Sequence, residues 1–214
     1  MEFPPKRRLA VAWTGVGASV GAVCWAAMPW LQFATYGSRP YIGTGYDIGT
    51  LTGLALLVGG VAGVRAVVDD RLGRLGRAAV GTTAVGLCCL LLLAADSVAA
   101  YVQAGFVPVP ATGEDPAGLV RTWLTLAGYA LLAGGTGAVG VVLRGLPEPP
   151  TVTAALCLLA PVGFVGLLLV DAVLPLSVRL LVVRTAAFLV PVGAAWVAVG
   201  AFVWRRGHRA SGSE

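Results

Sequence analysis

"AAVGTTAVGLCCLLLLAADSVAAYV", residues 78–102, runs for 25 residues and carries a single charged side chain, Asp96. At about 1.5 Å per residue, a helix of this length crosses an apolar layer about 30 Å thick. Crossing as a helix also satisfies every backbone amide inside the segment, which a lipid interior demands. Five further stretches read the same way, at approximately 9–28, 48–68, 122–143, 152–174 and 179–204. Glycine and proline inside them are tolerated better than in helices surrounded by water.

The composition agrees. Hydrophobic residues make up 57% of the 214 and charged residues 12%, against about 25% charged in an ordinary water-soluble domain, and the mean hydropathy is +0.86. The expected fold is all-α, a polytopic six-transmembrane-helix bundle occupying 1–214 as a single integral membrane domain. Too little chain remains between the spans for a separate soluble domain.

Charge placement sets the expected threading. Lys6, Arg7, Arg8, Arg65, Arg71, Arg74, Arg77, Arg144, Arg205, Arg206 and Arg209 flank one set of span ends, and Arg39, Arg121, Arg179 and Arg184 the other. The positive-inside rule then puts both termini in the cytoplasm of a cell-membrane protein. The basic residues are dispersed among span ends rather than gathered into a patch, so nucleic acid is not an expected partner. The opening residues have the charged start and apolar centre of a secretory signal. A retained first helix is expected instead, because removing it would leave an odd number of spans.

Cys24, Cys88, Cys89 and Cys157 all fall within spans without ligand spacing, and the single histidine, His208, lies in the polar tail. Small apolar filler is the expected role of these cysteines, with neither metal nor cofactor. No G-x-S-x-G, H-E-x-x-H or phosphate-cradling loop is present, and Ser97 beside Asp96 has no intramembrane base. The chain is therefore not expected to be an enzyme.

Two internal matches suggest a repeat of residues 8–68 in 77–143. R-x-A-V-x-x-T-x-V-G recurs from 8–17 to 77–86, and G-x-A-L-L-x-G-G from 53–60 to 128–135. Tandem helical hairpins in one orientation would follow. A third copy is hinted by L-L-x-x-D-x-V at 167–173 against 92–98. Gly17 with Gly21, Gly59 with Gly63, and the group Gly134, Gly135, Gly137 and Gly140 are expected to form close helix seams. Between the first two spans, residues 29–49 hold Trp30, Phe33, Tyr36, Tyr41 and Tyr46, a candidate interfacial belt or docking loop.

Asp96 is the residue most in need of an account. A carboxylate facing lipid is costly, so it is expected to face inward, on a stripe with Thr82, Cys89 and Gln103. The candidate polar cluster is Asp96, Asp171, Arg184 and Gln103, with Arg184 expected to pair with Asp96 or Asp171 and Arg121 read as more exposed. Two functions fit. One is transport of a small solute or ion through this cluster, the reading favoured by the sequence. The other is an accessory or scaffold subunit that meets a membrane-protein partner or its own copies. In size and span count the chain is similar to the small substrate-binding membrane subunits of vitamin transporters, a likeness of outline that transfers no residue. Reporter fusions at the two termini are expected to report the cytoplasmic side for both; opposite sides would overturn the threading.

Overall fold

The computed structural model describes residues 5–36, 41–42, 45–68, 73–107, 109–110, 116–146, 150–173 and 178–209. Among these residues are six helices: α1 (Pro5–Tyr36), α2 (Gly45–Val68), α3 (Arg74–Gln103), α4 (Pro116–Arg144), α5 (Thr151–Val173) and α6 (Val178–Arg209). Each is long and apolar enough to cross a membrane. The chain is thus a six-helix, multi-pass membrane bundle. Residues 41–42 and 109–110 form a two-residue antiparallel pair, Tyr41 opposite Pro110 and Ile42 opposite Val109, which ties the α1–α2 connection to the α3–α4 connection.

Helices run longer than the apolar windows suggest. α1 continues past Met28 through Pro29 to Tyr36, so Trp30 and Phe33, expected in a loop, are helical, and Tyr46 opens α2. Pro29 has no N–H to donate four residues back, a loss that membrane helices absorb through their neighbours. Trp30 is exposed and Tyr46 half-buried; the side chains of Phe33, Tyr36 and Tyr41 lie outside the described ones, as do residues 69–72 and the acidic pair 114–115. α3 closes with Gly105 at φ 68° and Phe106 at φ 64°. The Phe106 N–H donates to the Tyr101 carbonyl at 2.9 Å, and the two rings meet edge-on at 5.5 Å, offsetting the strain of a non-glycine residue in the left-handed region.

Consecutive helices are neighbours all round the bundle, and α6 closes back onto α1 while also touching α2 and α4. What allows the close approach is glycine at the crossings. Lipid offers no hydrophobic drive between helices, so dispersion between backbones must supply the attraction. A Cβ on Gly21 would lie 2.6 Å from the Gly53 carbonyl oxygen, one on Gly86 2.9 Å from that of Gly128, and one on Gly163 2.9 Å from that of Ala187. The three hairpins therefore cross in the same way, each at a Val-Gly pair whose valine (Val20, Val85, Val162) is exposed. This contact register sets Gly21 level with Gly86, one helical turn away from the register of the 8–17 and 77–86 sequence match.

Not every glycine marked by the sequence serves a seam. Gly59 and Gly134 face open space, while their neighbours Gly60 and Gly135 pack on Ala18 and Thr83. Gly17 makes only ordinary contact with Leu56, whereas Gly63 meets Thr14. Prolines fill two of the gaps: a Cβ on Gly137 would lie 2.6 Å from Cγ of Pro161, and one on Gly163 3.0 Å from Cγ of Pro191.

The interior is apolar and ringed with aromatics. Phe188 of α6 is buried, with ring centroids of Tyr129 at 4.4 Å, Phe164 at 6.1 Å and Trp25 at 6.3 Å, so α1, α4, α5 and α6 meet there. Two turns further along α6, buried Trp196 donates its Nε1–H to Thr136 Oγ1 at 3.2 Å, a partner such an indole requires. A small cavity of about 10 Å³ lies among Val64 of α2, Gly76, Ala79 and Val80 of α3, and Val139, Val142 and Leu143 of α4. It has room for about one water but no polar lining to hold it.

Gly86→Ala is expected to destabilise the detergent-solubilised protein by about 1–3 kcal/mol, the usual cost of overpacking, because its Cβ would meet the Leu132 backbone nitrogen at 2.5 Å. Gly134→Ala, with open space at its Cβ, is expected to be neutral or to stabilise by up to about 1 kcal/mol through helix propensity. Thermal unfolding of the two variants side by side measures the difference.

Candidate functional site

Of the four residues expected to cluster, Asp96 and Gln103 have described side chains. Asp96 lies on α3 seven residues before its last residue, Gln103, and both are exposed. Asp171 and Arg184 are helical residues of α5 and α6, but their side chains, and with them any pairing between the two, lie outside the described ones. Asp96 is paired among the described residues. Its partner is Arg121 of α4, the neighbouring helix of the same hairpin, at 2.9 Å from Nη2 to Oδ2.

The inward orientation expected of Asp96 is also corrected: its side chain is 71% exposed and that of Arg121 29%. The buried face of α3 runs through Ala79, Thr83, Gly86, Leu87, Leu90, Ala94 and Ser97. Asp96 is one residue, about 100° of helix, off that line, so the stripe of Thr82, Cys89, Asp96 and Gln103 follows its margin. Two physical facts remove the need for burial. Arg121 neutralises the charge, and Asp96 is close to the end of the apolar layer. α3 has 30 residues, about 45 Å at 1.5 Å each, so a centred helix extends about 7 Å beyond each side of a 30 Å core. Asp96, about 10 Å from the helix end, then sits within about one turn of the head-group boundary.

Arg121 is held as a clamp across the α3–α4 groove. The same Nη2 donates to Ser97 Oγ at 2.7 Å and, at the longer distance of 3.4 Å, to the Leu93 carbonyl. Ser97 in turn donates to the Leu93 carbonyl at 3.1 Å. A serine that looked like a spare nucleophile is thus occupied within a helix-to-helix polar lock. In the first hairpin a different lock occupies the corresponding level, Thr35 Oγ1 and Tyr46 OH at 2.6 Å.

Arg121 is the residue that sequence reasoning missed, and a signal for it existed. In an antiparallel hairpin, residues equally far from the turn lie side by side. Asp96 is 13 residues before Val109 and Arg121 is 12 after it. Chemically, the arrangement offers a fixed dipole of two opposite charges, facing out of the bundle between an aspartate and a guanidinium that each keep unused atoms. Among the described residues no group of three or more His, Cys, Asp or Glu is placed to hold a metal ion.

Asp96→Arg and Arg121→Asp are each expected to lower stability by about 1 kcal/mol or more, since each leaves like charges across the groove. The double exchange is expected to recover most of the loss, as read by thermal unfolding in detergent.

Comparison with known proteins finds no family model, no curated protein and no solved structure that matches this chain. Its functional reading therefore rests on geometry.

Proposed function

We propose that the chain is a non-catalytic accessory or scaffold subunit of a membrane complex, seated in the cell membrane with both termini in the cytoplasm. The observation that carries this reading is what fills the bundle's axis. Where a central transport route would run, the rings of Trp25 and Phe164 meet Phe188 edge to face and that of Tyr129 lies tilted against it, and Trp196 closes on Thr136. Charge is displaced to the perimeter, at Asp96 and Arg121. Glycine crossings in three hairpins favour rigidity over rocking. A duplicated hairpin belongs to the same reading, supported by the Val-Gly pairs at 20–21, 85–86 and 162–163.

A second reading, transport of a small solute or ion, is favoured by one observation. Asp96 is exposed and engages Arg121 through only one of its two carboxylate oxygens, which leaves an acceptor for a cation.

The two readings separate on water access. A cysteine placed at Phe188, in a chain whose four native cysteines are replaced by alanine, is expected to escape a water-soluble maleimide. Proton flux in proteoliposomes, followed with an entrapped pH dye, is expected to be the same for the native chain and Asp96→Asn. Labelling at 188, or a flux that Asp96→Asn abolishes, would establish the transport reading instead.

A further inference from the structure

We propose that the Asp96–Arg121 pair is a seat for the head group of a zwitterionic phospholipid bearing a primary amine. The argument starts from unused bonding capacity. Arg121 makes its three described bonds through Nη2 alone, and Asp96 receives it on Oδ2. Nε and Nη1 of the guanidinium and Oδ1 of the carboxylate are in no hydrogen bond among the described residues. A phosphate takes two parallel N–H donors from a guanidinium edge, and a primary ammonium donates to a carboxylate oxygen. Both poles of the head group therefore find a partner of opposite sign.

Depth and surroundings fit the same occupant. The pair lies within about one turn of the level where hydrocarbon gives way to head groups, from the helix length and the usual core thickness. Toward mid-membrane from Asp96, the exposed face of α3 continues through Leu92, Cys88 and Val85 at spacings of four, four and three residues, an uncharged track for an acyl chain. Beside it on α4 stand exposed Leu124 and Trp123, the latter 70% exposed, an aromatic of the kind that settles at the head-group level.

Net charge selects the lipid class. Aspartate and guanidinium cancel, so an anionic lipid would satisfy Arg121 while placing its surplus negative charge near Asp96. A choline head group carries the positive charge but has no N–H to donate. A primary amine satisfies both poles.

The test uses the full chain in nanodiscs containing equal parts phosphatidylethanolamine, phosphatidylcholine and phosphatidylglycerol, with retained lipids counted by native mass spectrometry. The native protein is expected to retain phosphatidylethanolamine roughly tenfold over phosphatidylcholine, the scale of one charge-assisted hydrogen bond. Asp96→Asn is expected to equalise those two, and Arg121→Gln to lower retention of all three; Val162→Ala, on the exposed face of α5, should change neither. Should either variant fail to fold, N-acylated phosphatidylethanolamine replaces the parent lipid with the native chain, and the preference should vanish. Equal retention of ethanolamine and choline lipids by the native protein, an unchanged preference in Asp96→Asn, or a bound protein chain in place of lipid would each overturn the proposal.

Discussion

The contact on which the bundle depends is backbone against backbone at the glycine crossings. In water, helices associate because apolar side chains leave the solvent; in lipid that gain is absent, and only close dispersion contact and interhelical polar bonds remain. Gly21 on Gly53, Gly86 on Gly128 and Gly163 on Ala187 let three pairs of helices approach to where a single methyl would intrude. The seam between α6 and α1 follows the same rule, with Gly15 and Gly200 facing one another and Ser19 donating to the Val197 carbonyl at 3.2 Å. At these crossings the large side chains turn toward the neighbouring helices instead: Tyr129, Phe164 and Phe188 each directly follow a crossing residue, and Trp25 packs beside Gly53.

Polar groups follow from the same economy. Buried hydroxyls turn back on their own helices, as Thr83 does to the Ala79 carbonyl at 2.8 Å, reach a carbonyl of the next helix, as Thr153 does at Ala198, or meet a donor that would otherwise be stranded, as Thr136 meets Trp196. A charged pair cannot be satisfied so locally. It is found at the bundle's rim near a helix end, where one helix supplies each sign and solvent or head groups share the remaining hydration.

The six helices were legible because the lipid's demand on backbone amides acts on length and apolarity alone, whatever the packing. Their ends were less so: Pro29 reads as a stop, yet α1 runs seven residues past it. Spacing identified the right glycine-rich helices but chose Gly59 over Gly60, since adjacent residues differ by 100° on a helix and composition does not say which faces a neighbour. Asp96 was legible as exceptional. Its partner follows from hairpin adjacency, which points to Arg121, rather than from the apolar pattern of any one span. No pattern in the sequence foretold the Phe188 cluster, because its four rings come from helices far apart in the chain.

The β-pair between residues 41–42 and 109–110 has a mechanical effect on the seam between the first two hairpins. It pins them together at one extremity, whereas at the opposite extremity a small apolar void lies among Val64 of α2, Val80 of α3 and Val142 of α4. Thermal agitation, or a wedge pressed in from outside, would spread these hairpins first at the extremity that bears the chain termini.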